Sequence, residues 1–425
     1  MRSLALLVAI IGLGGCGVFQ RDTSDQIVLR ISNWSGAGDD SEFERTVRAI
    51  YEDFERSHPG VDVRVEGIPD GYVSKVILSF VAGTEPDVML LDASSAAVFI
   101  DNGVLTDLTP FIDGDSSFRL EDFFPNVVDI ARRGKSVYAI PNDFTPMVVY
   151  YNKRLFDEAG VAYPKSGWSF DDFRRTAMAL TVSDKQYGFS FVNWMAGWIM
   201  WLWNNGGDVV NPEGPRASGV LDSAANVETI EFLRDMIKVD RSAPSLGESA
   251  SLGVDLFANG QAAMTISGHW AMIGYANAPK GADGKPAITW SDLGVVEMPS
   301  RIGSSQTVMY ESGYAIGKNS KHKQIAWEFI KYFTSYAVQR KYNESGIAVC
   351  ARIDVATERA NDPLEAQFLP IIPSARPPHG SRIVGYEVVE KVGKNALDSV
   401  LNNDTPVQEA LTRAAKRIDQ EFAKR

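Results

Sequence analysis

The first part of the chain switches repeatedly between the apolar spacing of a strand and that of a helix. Ile27, Leu29 and Ile31 alternate as in a strand, and the apolar residues of 43–54 recur at helical spacing. A second strand and helix follow, and the segment 87–91, which is apolar after Asp87, reads as a third strand. A strand without polar alternation is typical of a parallel sheet covered by helices on both faces. The pattern therefore predicts β-α-β-α-β, the start of an α/β domain.

The length of the chain predicts more than one core. The chain has 425 residues, and single hydrophobic cores stop growing at roughly 250–300 residues. Strand-like segments at 137–141 and 147–151 are separated by 142–146, which we interpret as a link that crosses between two lobes. Two domains or lobes are therefore expected.

The N-terminus has the features of an export signal. A charged start and an apolar run from Leu4 to Leu13 end in Leu13-Gly14-Gly15-Cys16, which matches a bacterial lipobox. The run is shorter than the roughly 20 apolar residues that span a bilayer. We expect Cys16 to be acylated and to anchor the protein outside the cytoplasm. An ordinary cleaved signal or a buried helix is the alternative.

Charge and cysteine content restrict the possible partners. The formal net charge is −12 and the pI is about 5.0, which argues against a nucleic-acid partner because such a partner requires basic patches. An uncharged ligand is the better match. With Cys16 acylated, Cys350 has no partner within the chain, so no disulfide framework is expected.

Capping patterns predict where two helices begin. Ser169 with Asp172 marks the start of one. Thr405-Pro406-Val407-Gln408 reads as a capping box with proline at the first helical position, and apolar residues from Val407 to Phe422 form a buried stripe.

Motifs for catalysis and metal binding are missing from the sequence. The four histidines, His58, His269, His322 and His379, are not at metal-ligand spacing, and neither a P-loop, a G-x-S-x-G elbow nor a complete dinucleotide fingerprint occurs. We therefore expect no catalytic residue, no metal and no cofactor. Two acids brought together by folding could still form a glycosidase site, since that chemistry needs only a pair of carboxyl groups.

Aromatic residues mark possible binding surfaces. Trp194, Trp198 and Trp201 would share one face of a helix, and Trp34 follows the first strand, at the edge where open sheets place ligands. Trp270 and Tyr386 are further candidates. Flat rings pack against the C–H faces of sugars. The alternative for the helical tryptophans is a place in the core.

The chain resembles the extracellular solute-binding proteins of carbohydrate ABC importers, the family that includes maltose-binding and glycerol-phosphate-binding proteins. The resemblance runs from about Ile27 to the C-terminus. It rests on the order of several short segments, which are Glu85-Pro86-Asp87-Val88, 103–110, 139–141, 150–160, 168–173, 205–207, 257–264 with Gly268 and Trp270, and 320–330.

The resemblance implies a two-lobed α/β fold of the type II periplasmic-binding-protein class, with the ligand in a cleft between the lobes. The expected division is a signal peptide 1–15, a linker 16–26, lobe 1 from 27–142 with 304–352, and lobe 2 from 143–303 with 353–425. The expected ligand-binding residues are Trp34, Asp92, Asp143, Trp194, Trp198, Trp270, Glu311, Arg352 and Tyr386. The family often has proline two residues before the arginine, where this chain has Cys350, so the backbone near Arg352 departs from the family pattern.

The implied function is a substrate-binding lipoprotein that captures a sugar or sugar-like solute outside the cytoplasmic membrane and delivers it to an ABC permease. We expect a monomer that is not an enzyme. A surface-anchored glycoside hydrolase is the alternative, and the solute could instead be a polyol, a phosphodiester or a peptide.

Overall fold

The computed structural model describes residues 26–34, 42–183, 185–211, 215–247, 255–280, 284–344, 346 and 348–424. The predicted lipobox lies outside these residues. The strands are β1 (Ile27–Asn33), β2 (Val61–Gly67), β3 (Val88–Asp92), β4 (Arg132–Arg133), β5 (Ser136–Val137), β6 (Ile140–Pro146), β7 (Val148–Asn152), β8 (Tyr187–Ser190), β9 (Ala262–Ser267), β10 (Leu293–Val296), β11 (Thr307–Ile316), β12 (Val349–Cys350) and β13 (Ala375–Arg376).

The α-helices lie between and after these strands. They are α1 (Glu42–Ser57), α2 (Tyr72–Ala82), α3 (Ala96–Asp101), α4 (Thr109–Gly114), α5 (Pro125–Val128), α6 (Lys153–Ala159), α7 (Phe170–Ala179), α8 (Met195–Trp203), α9 (Ala224–Lys238), α10 (Ala271–Ala276), α11 (Lys323–Phe333), α12 (Tyr336–Asn343), α13 (Ile353–Arg359), α14 (Glu387–Asn403) and α15 (Val407–Phe422). None of the described helices has both the length and the apolar character needed to cross a membrane.

The larger sheet contains the predicted β-α-β-α-β unit. Its strand order is β12-β6-β11-β3-β1-β2, with β13 paired to β11. Strand β1 runs parallel to both β2 and β3, which confirms the parallel start of the fold. The long strand β11 returns antiparallel between β3 and β6. We call the part of the chain built on this sheet lobe 1.

The smaller sheet has the order β10-β7-β9-β8. We call the part built on it lobe 2, together with α14 and α15, which pack against each other and against α8 and α9. The first change of sheet falls at Met147, between β6 and β7. The sequence placed this link within 142–146, but those residues continue β6 because its pairing with β11 extends to Pro146.

One of the two predicted helix starts has the expected cap. Ser169 and Asp172 form a reciprocal capping box at α7. The capping box predicted for 405–408 is wrong: Pro406 occupies the N-cap position of α15 without a side-chain cap, and the Gln408 amide donates instead to the Asp222 carbonyl at 3.1 Å. The apolar stripe of α15 is buried from Val407 to Ile418, whereas Phe422, the last residue of the predicted stripe, is only partly buried.

Candidate functional site

A cavity of about 450 Å³ lies between the two lobes. Its walls come mainly from lobe 1, at the ends of β1 and β3 and along β6 and β11, and Trp270 closes it from lobe 2. The lining residues are Asn33, Trp34, Glu44, Val47, Tyr51, Leu90, Asp92, Asp143, Thr145, Trp270, Tyr310, Glu311, Ser312, Tyr314, Tyr342 and Ala348. The position agrees with the rule that open sheets bind ligands beyond the carboxyl ends of their strands.

Strand pairing brings acidic side chains to this cavity. Asp92 ends β3, Asp143 lies in β6, and both pair in register with Ser312 of β11, which lies between them. Glu311 is the residue before Ser312 in the same strand. Three neighbouring strands therefore contribute one carboxylate each to the same cavity.

Neutral donors hold the Asp143 carboxylate in place. Ser312 Oγ donates to Oδ1 at 2.7 Å, Tyr342 Oη donates to Oδ2 at 2.7 Å, and Asn142 Nδ2 donates to Oδ2 at 2.8 Å. Burial raises the pKa of Asp143, and these hydrogen bonds oppose that rise. The carboxylate is thus oriented by donors that carry no charge of their own.

Of the two carboxylate oxygens of Asp92, only Oδ1 accepts hydrogen bonds from described residues. The backbone N–H of Ser94 donates to Asp92 Oδ1 at 2.7 Å, and the Ser94 hydroxyl donates to the same oxygen. Burial raises the pKa of this aspartate as well. No described contact involves Oδ2, so that oxygen is the one available to a ligand.

Glu311 differs from the two aspartates because none of the described residues donates a hydrogen bond to its carboxylate. The residue is only 4% exposed. Its pKa is raised well above the usual value, first by burial and then by the charges of Asp92 and Asp143. The side chain lies over Gly313, where a Cβ atom would collide with Glu311 Oε1. Glycine at 313 therefore makes room for this carboxyl group.

Aromatic rings form the other walls. Trp34 is 38% exposed and meets Tyr72 edge to face at 5.6 Å. Trp270 is 37% exposed. Its ring centroid lies 6.4 Å from that of Tyr310 on β11. Exposed aromatic rings next to polar side chains are typical of small-molecule binding sites.

A second cavity of about 500 Å³ adjoins the first in lobe 2. Trp270 lines both cavities, and Trp194 lines the second. The three rings of Trp194, Trp270 and Tyr310 lie within 6.0 to 6.4 Å of one another by centroid. Trp270 therefore stands between two spaces that one elongated ligand could occupy.

Five of the residues proposed from sequence line the first cavity, namely Trp34, Asp92, Asp143, Trp270 and Glu311. A sixth, Trp194, lines the adjoining one. The structure thus brings together residues that are up to 277 positions apart in the chain, from Trp34 to Glu311.

Trp198 and Tyr386 do not line either cavity, which corrects the sequence expectation. Trp198 is fully buried in the core of lobe 2, and Tyr386 is 2% exposed in the same core. Helix α8 consists of apolar residues on all sides. It packs against α9, α14 and β11, so most of its side chains lie in the core. The predicted single helical face of Trp194, Trp198 and Trp201 is wrong, because the helix begins at Met195 and Trp194 precedes it with extended backbone. Trp198 and Trp201 lie in the helix and are fully buried.

Arg352 also lies away from the cavity. Its guanidinium group is held by Asp354 at 2.7 Å and Asp122 at 3.0 Å, and it lies over the ring of Phe123. Two carboxylates thus already occupy the donors that a ligand would use. Cys350, two residues before Arg352, is buried in β12, and burial raises the pKa of its thiol to about 12.

Sequence reasoning missed Tyr310, Ser312 and Thr145. A signal was present, because Tyr310-Glu311-Ser312-Gly313 interrupts the apolar run of β11 with polar residues and a glycine. A glycine inside a strand indicates close approach of another group. Glu311 is among the ligand-binding residues expected from the sequence, but its neighbours Tyr310 and Ser312 are not. No group of three or more His, Cys, Asp or Glu side chains in the described ranges is arranged to hold a metal ion.

Comparison with known proteins gives consistent matches. Residues 38–340 match the family model for bacterial extracellular solute-binding proteins. A protein named as a binding protein from Brucella abortus is 24% identical over 380 residues, which cover 86% of this chain and 87% of the relative. The multiple sugar-binding protein of Streptococcus mutans is 24% identical over 347 residues and 76% of each chain.

Solved structures show the same fold. An ABC substrate-binding protein from Listeria monocytogenes, solved in complex with cycloalternan, aligns with a TM-score of 0.81 and 23% identity over 94% of this chain and 100% of that one. The match shows that the chain has the two-lobed type II architecture. The cavity described above lies between those two lobes.

Proposed function

Because the chain belongs to the bacterial extracellular solute-binding protein family, we propose that it captures a sugar or sugar-like solute between its lobes and delivers it to the permease of an ABC importer. The observation that carries this proposal is the cavity of about 450 Å³, which is lined both by the exposed rings of Trp34 and Trp270 and by the buried acid Glu311. The multiple sugar-binding protein of Streptococcus mutans and the Listeria monocytogenes protein in complex with cycloalternan support the same class of solute.

The chemistry of the cavity suits a polyhydroxylated molecule. The C–H faces of a sugar ring can pack on Trp34 or Trp270, and its hydroxyl groups can donate to Asp92 and Asp143. Buried polar groups without protein partners discriminate strongly against ligands that cannot bond to them. Glu311 and the Oδ2 atom of Asp92, to which no described residue donates, would therefore select solutes that offer donors at matching positions.

Delivery requires that the bound form differ from the free form. The acids come from lobe 1, whereas Trp270 and Trp194 come from lobe 2. A solute that touches both lobes favours the closed arrangement, since a ligand shifts an equilibrium by its difference in affinity for the two states. The permease would then recognise the closed form.

A thermal-shift screen over mono- and oligosaccharides tests the proposal. A solute at about 100 times its dissociation constant should add roughly 2.7 kcal/mol to the free energy of unfolding. Titration calorimetry of the solutes found in this way should give one binding site per chain. A complete absence of binding across sugars and polyols would contradict a sugar-binding role.

We further infer that the solute leaves the protein unaltered. A bound sugar should be recovered intact after long incubation with excess protein. The acids in the cavity make the hydrolase alternative specific enough to test, because two carboxyl groups suffice for that chemistry. Formation of product in proportion to protein concentration would favour the hydrolase.

Acylation of Cys16 would hold the protein at the outer face of a membrane, beside the permease. The proposal rests on the lipobox of the sequence and on membership of an extracellular family. We infer that the protein acts there as a monomer.

A further inference from the structure

The cavity has an excess of negative charge. Four acidic residues line it, namely Glu44, Asp92, Asp143 and Glu311, and the described lining contains no lysine, arginine or histidine. A fifth acid, Glu390 on α14, lies close enough to Asp92 that the aspartate raises its pKa, after burial, to about 7. The charges around the solute are therefore of one sign.

The basic side chains near the cavity form ion pairs or hydrogen bonds with acids that do not line it. His269 is the basic residue whose charge acts on Asp143, and its Nε2 lies 2.8 Å from Glu365 Oε2. Glu365 in turn bonds Arg359 at 2.5 Å. Arg352 is held by Asp122 and Asp354. The described protein thus offers the cavity acids little compensating positive charge.

Glu311 is the cavity acid with the fewest protein partners. It is 4% exposed, lines the cavity and receives no hydrogen bond from the described residues. Each of the two charges that act on it, Asp92 and Asp143, is negative. Burying an unpaired carboxylate is costly. The ligand-free protein limits that cost because Glu311 holds its proton, as its raised pKa indicates, whereas a cation in the cavity would stabilise the ionised carboxylate.

We propose that the solute bears a protonated amine, as an amino sugar does, and that Glu311 binds the ammonium group directly. This inference rests on the proposed function, because it concerns the solute of the same cavity. Asp92 offers a second acceptor through its free oxygen. The rings of Trp34, Trp270 and Tyr310 line the same space and attract a cation to their faces.

A neutral sugar would satisfy these residues less completely. Its hydroxyl groups can donate to Glu311, but they supply no positive charge to favour ionisation of that acid beside Asp92 and Asp143. An ammonium group donates and also neutralises charge, and hydrogen bonds between charged partners are roughly twice as strong as neutral ones. The composition of the chain favours an uncharged ligand over a nucleic acid, whereas the arrangement of the acids in the cavity favours a cationic one.

Matched sugars that differ at one substituent test the proposal on the unmodified protein. The probes are glucosamine, galactosamine and mannosamine, each with its parent hexose and its N-acetyl derivative, and the glucosamine disaccharide with cellobiose. Thermal shift identifies the binders, and calorimetric titration gives the dissociation constants. We expect the amines to bind about 10- to 100-fold more tightly than their neutral counterparts, the scale of a charge-assisted bond.

Glu311→Gln keeps the size of the side chain and removes its charge. The variant should lose about 10- to 100-fold in affinity for the amine and keep its affinity for the neutral sugar within a few-fold. Glu328→Gln on α11 is the matched control, because Glu328 lies outside the cavity lining. If Glu311→Gln does not fold, the comparison of amines with neutral sugars on the unmodified protein decides alone.

The outcomes are distinct. Preferential binding of amines supports the inference. Equal or tighter binding of the neutral sugars overturns it and leaves the proposed function intact. Binding of none of the probes, charged or neutral, contradicts the proposed function and the inference together.

Discussion

The ring of Trp194 lies nearly parallel to the ring of Tyr310, with the planes 15° apart and the centroids 6.0 Å apart. Trp194 precedes α8 in lobe 2, and Tyr310 lies in β11 of the lobe 1 sheet. The pair therefore joins the two lobes beside the cavity. Trp270 meets both rings edge to face, so aromatic contact forms one side of the boundary between the lobes.

Tyr310→Ala should favour an open arrangement of the lobes. The substitution removes the stack with Trp194, and aromatic pairs contribute about 0.5–1.5 kcal/mol beyond their buried area. Small-angle X-ray scattering should show a larger radius of gyration for the ligand-free variant than for the parent. Tyr336→Ala, which removes an exposed ring on α12, should leave the radius unchanged. An identical radius for Tyr310→Ala would show that the stack does not restrain the lobes.

Trp270→Ala and Trp198→Ala should have opposite effects. Trp270 is half-exposed at the cavity, so its loss should weaken binding by about 1–3 kcal/mol and barely change stability without ligand. Trp198 is fully buried, so its loss should cost about 3–5 kcal/mol of folding stability. Calorimetric titration and thermal melting of both variants measure the two effects. Normal affinity with a collapsed melting temperature for Trp270→Ala would place that ring in the core instead.

Gly313→Ala should disturb the position of Glu311. A Cβ at residue 313 would collide with Glu311 Oε1 and lie 3.2 Å from the Ile140 carbonyl oxygen. We expect weaker solute binding and a loss of about 1–3 kcal/mol of stability, the usual cost of overpacking. Gly114→Ala is the control, because nothing lies within 4 Å of its Cβ position. Unchanged affinity in Gly313→Ala would mean that Glu311 adjusts without cost.

Stability without ligand should fall as the pH rises from about 4.5 to 7. Burial and the charge of Asp92 raise the pKa of Glu390 from 4.5 to about 7 in the folded protein. In this window the folded state holds the proton more tightly than the unfolded state, so stability decreases with pH and the loss is complete above the folded pKa.

Chemical denaturation at several pH values measures this slope. Glu390→Gln should reduce the slope, because the amide does not titrate, and the raised pKa of Glu311 should account for part of the slope that remains. Glu409→Gln on the surface of α15 provides a control with the same chemical change. An equal slope in the parent protein and in Glu390→Gln would assign the pH dependence to other groups.

Cys16→Ser should release the protein from the membrane fraction and leave its solute affinity unchanged. The thiol is the acyl acceptor in the lipobox Leu13-Gly14-Gly15-Cys16, and the remaining signal still directs export. Fractionation of cells followed by titration of the released protein measures both properties. Unchanged membrane association of the variant would contradict lipid anchoring.

Local patterns in the sequence determined the secondary structure and the start of the fold. The alternation at Ile27, Leu29 and Ile31 and the apolar run at 87–91 predicted parallel strands that the structure contains. The Ser169 cap was also correct. Such features depend on residues a few positions apart, so a single sequence carries them. The cap expected at Thr405 failed because Pro406 takes the N-cap position.

The site was partly predictable for a similar reason. Trp34 and Asp92 follow or end strands, and the carboxyl ends of parallel strands meet at one edge of a sheet. Trp194 and Trp198 show the limit of the helical pattern. Trp194 lies before the first turn of α8 with extended backbone and lines a cavity, whereas Trp198 lies within the helix and in the core. Which part of an apolar helix is covered depends on the elements that pack against it.

Only the tertiary structure decided which charged side chains are paired within the protein and which remain available to a ligand. Arg352 and Glu311 are both ionisable residues near the lobe 1 sheet, but two aspartates hold the arginine, whereas no described residue bonds the glutamate carboxyl group. The partners of Arg352 lie 230 positions away at Asp122 and two positions away at Asp354. A residue's type sets what it can bind, but the long-range pairing of strands and loops sets which partners reach it and which side chain is left to the solute.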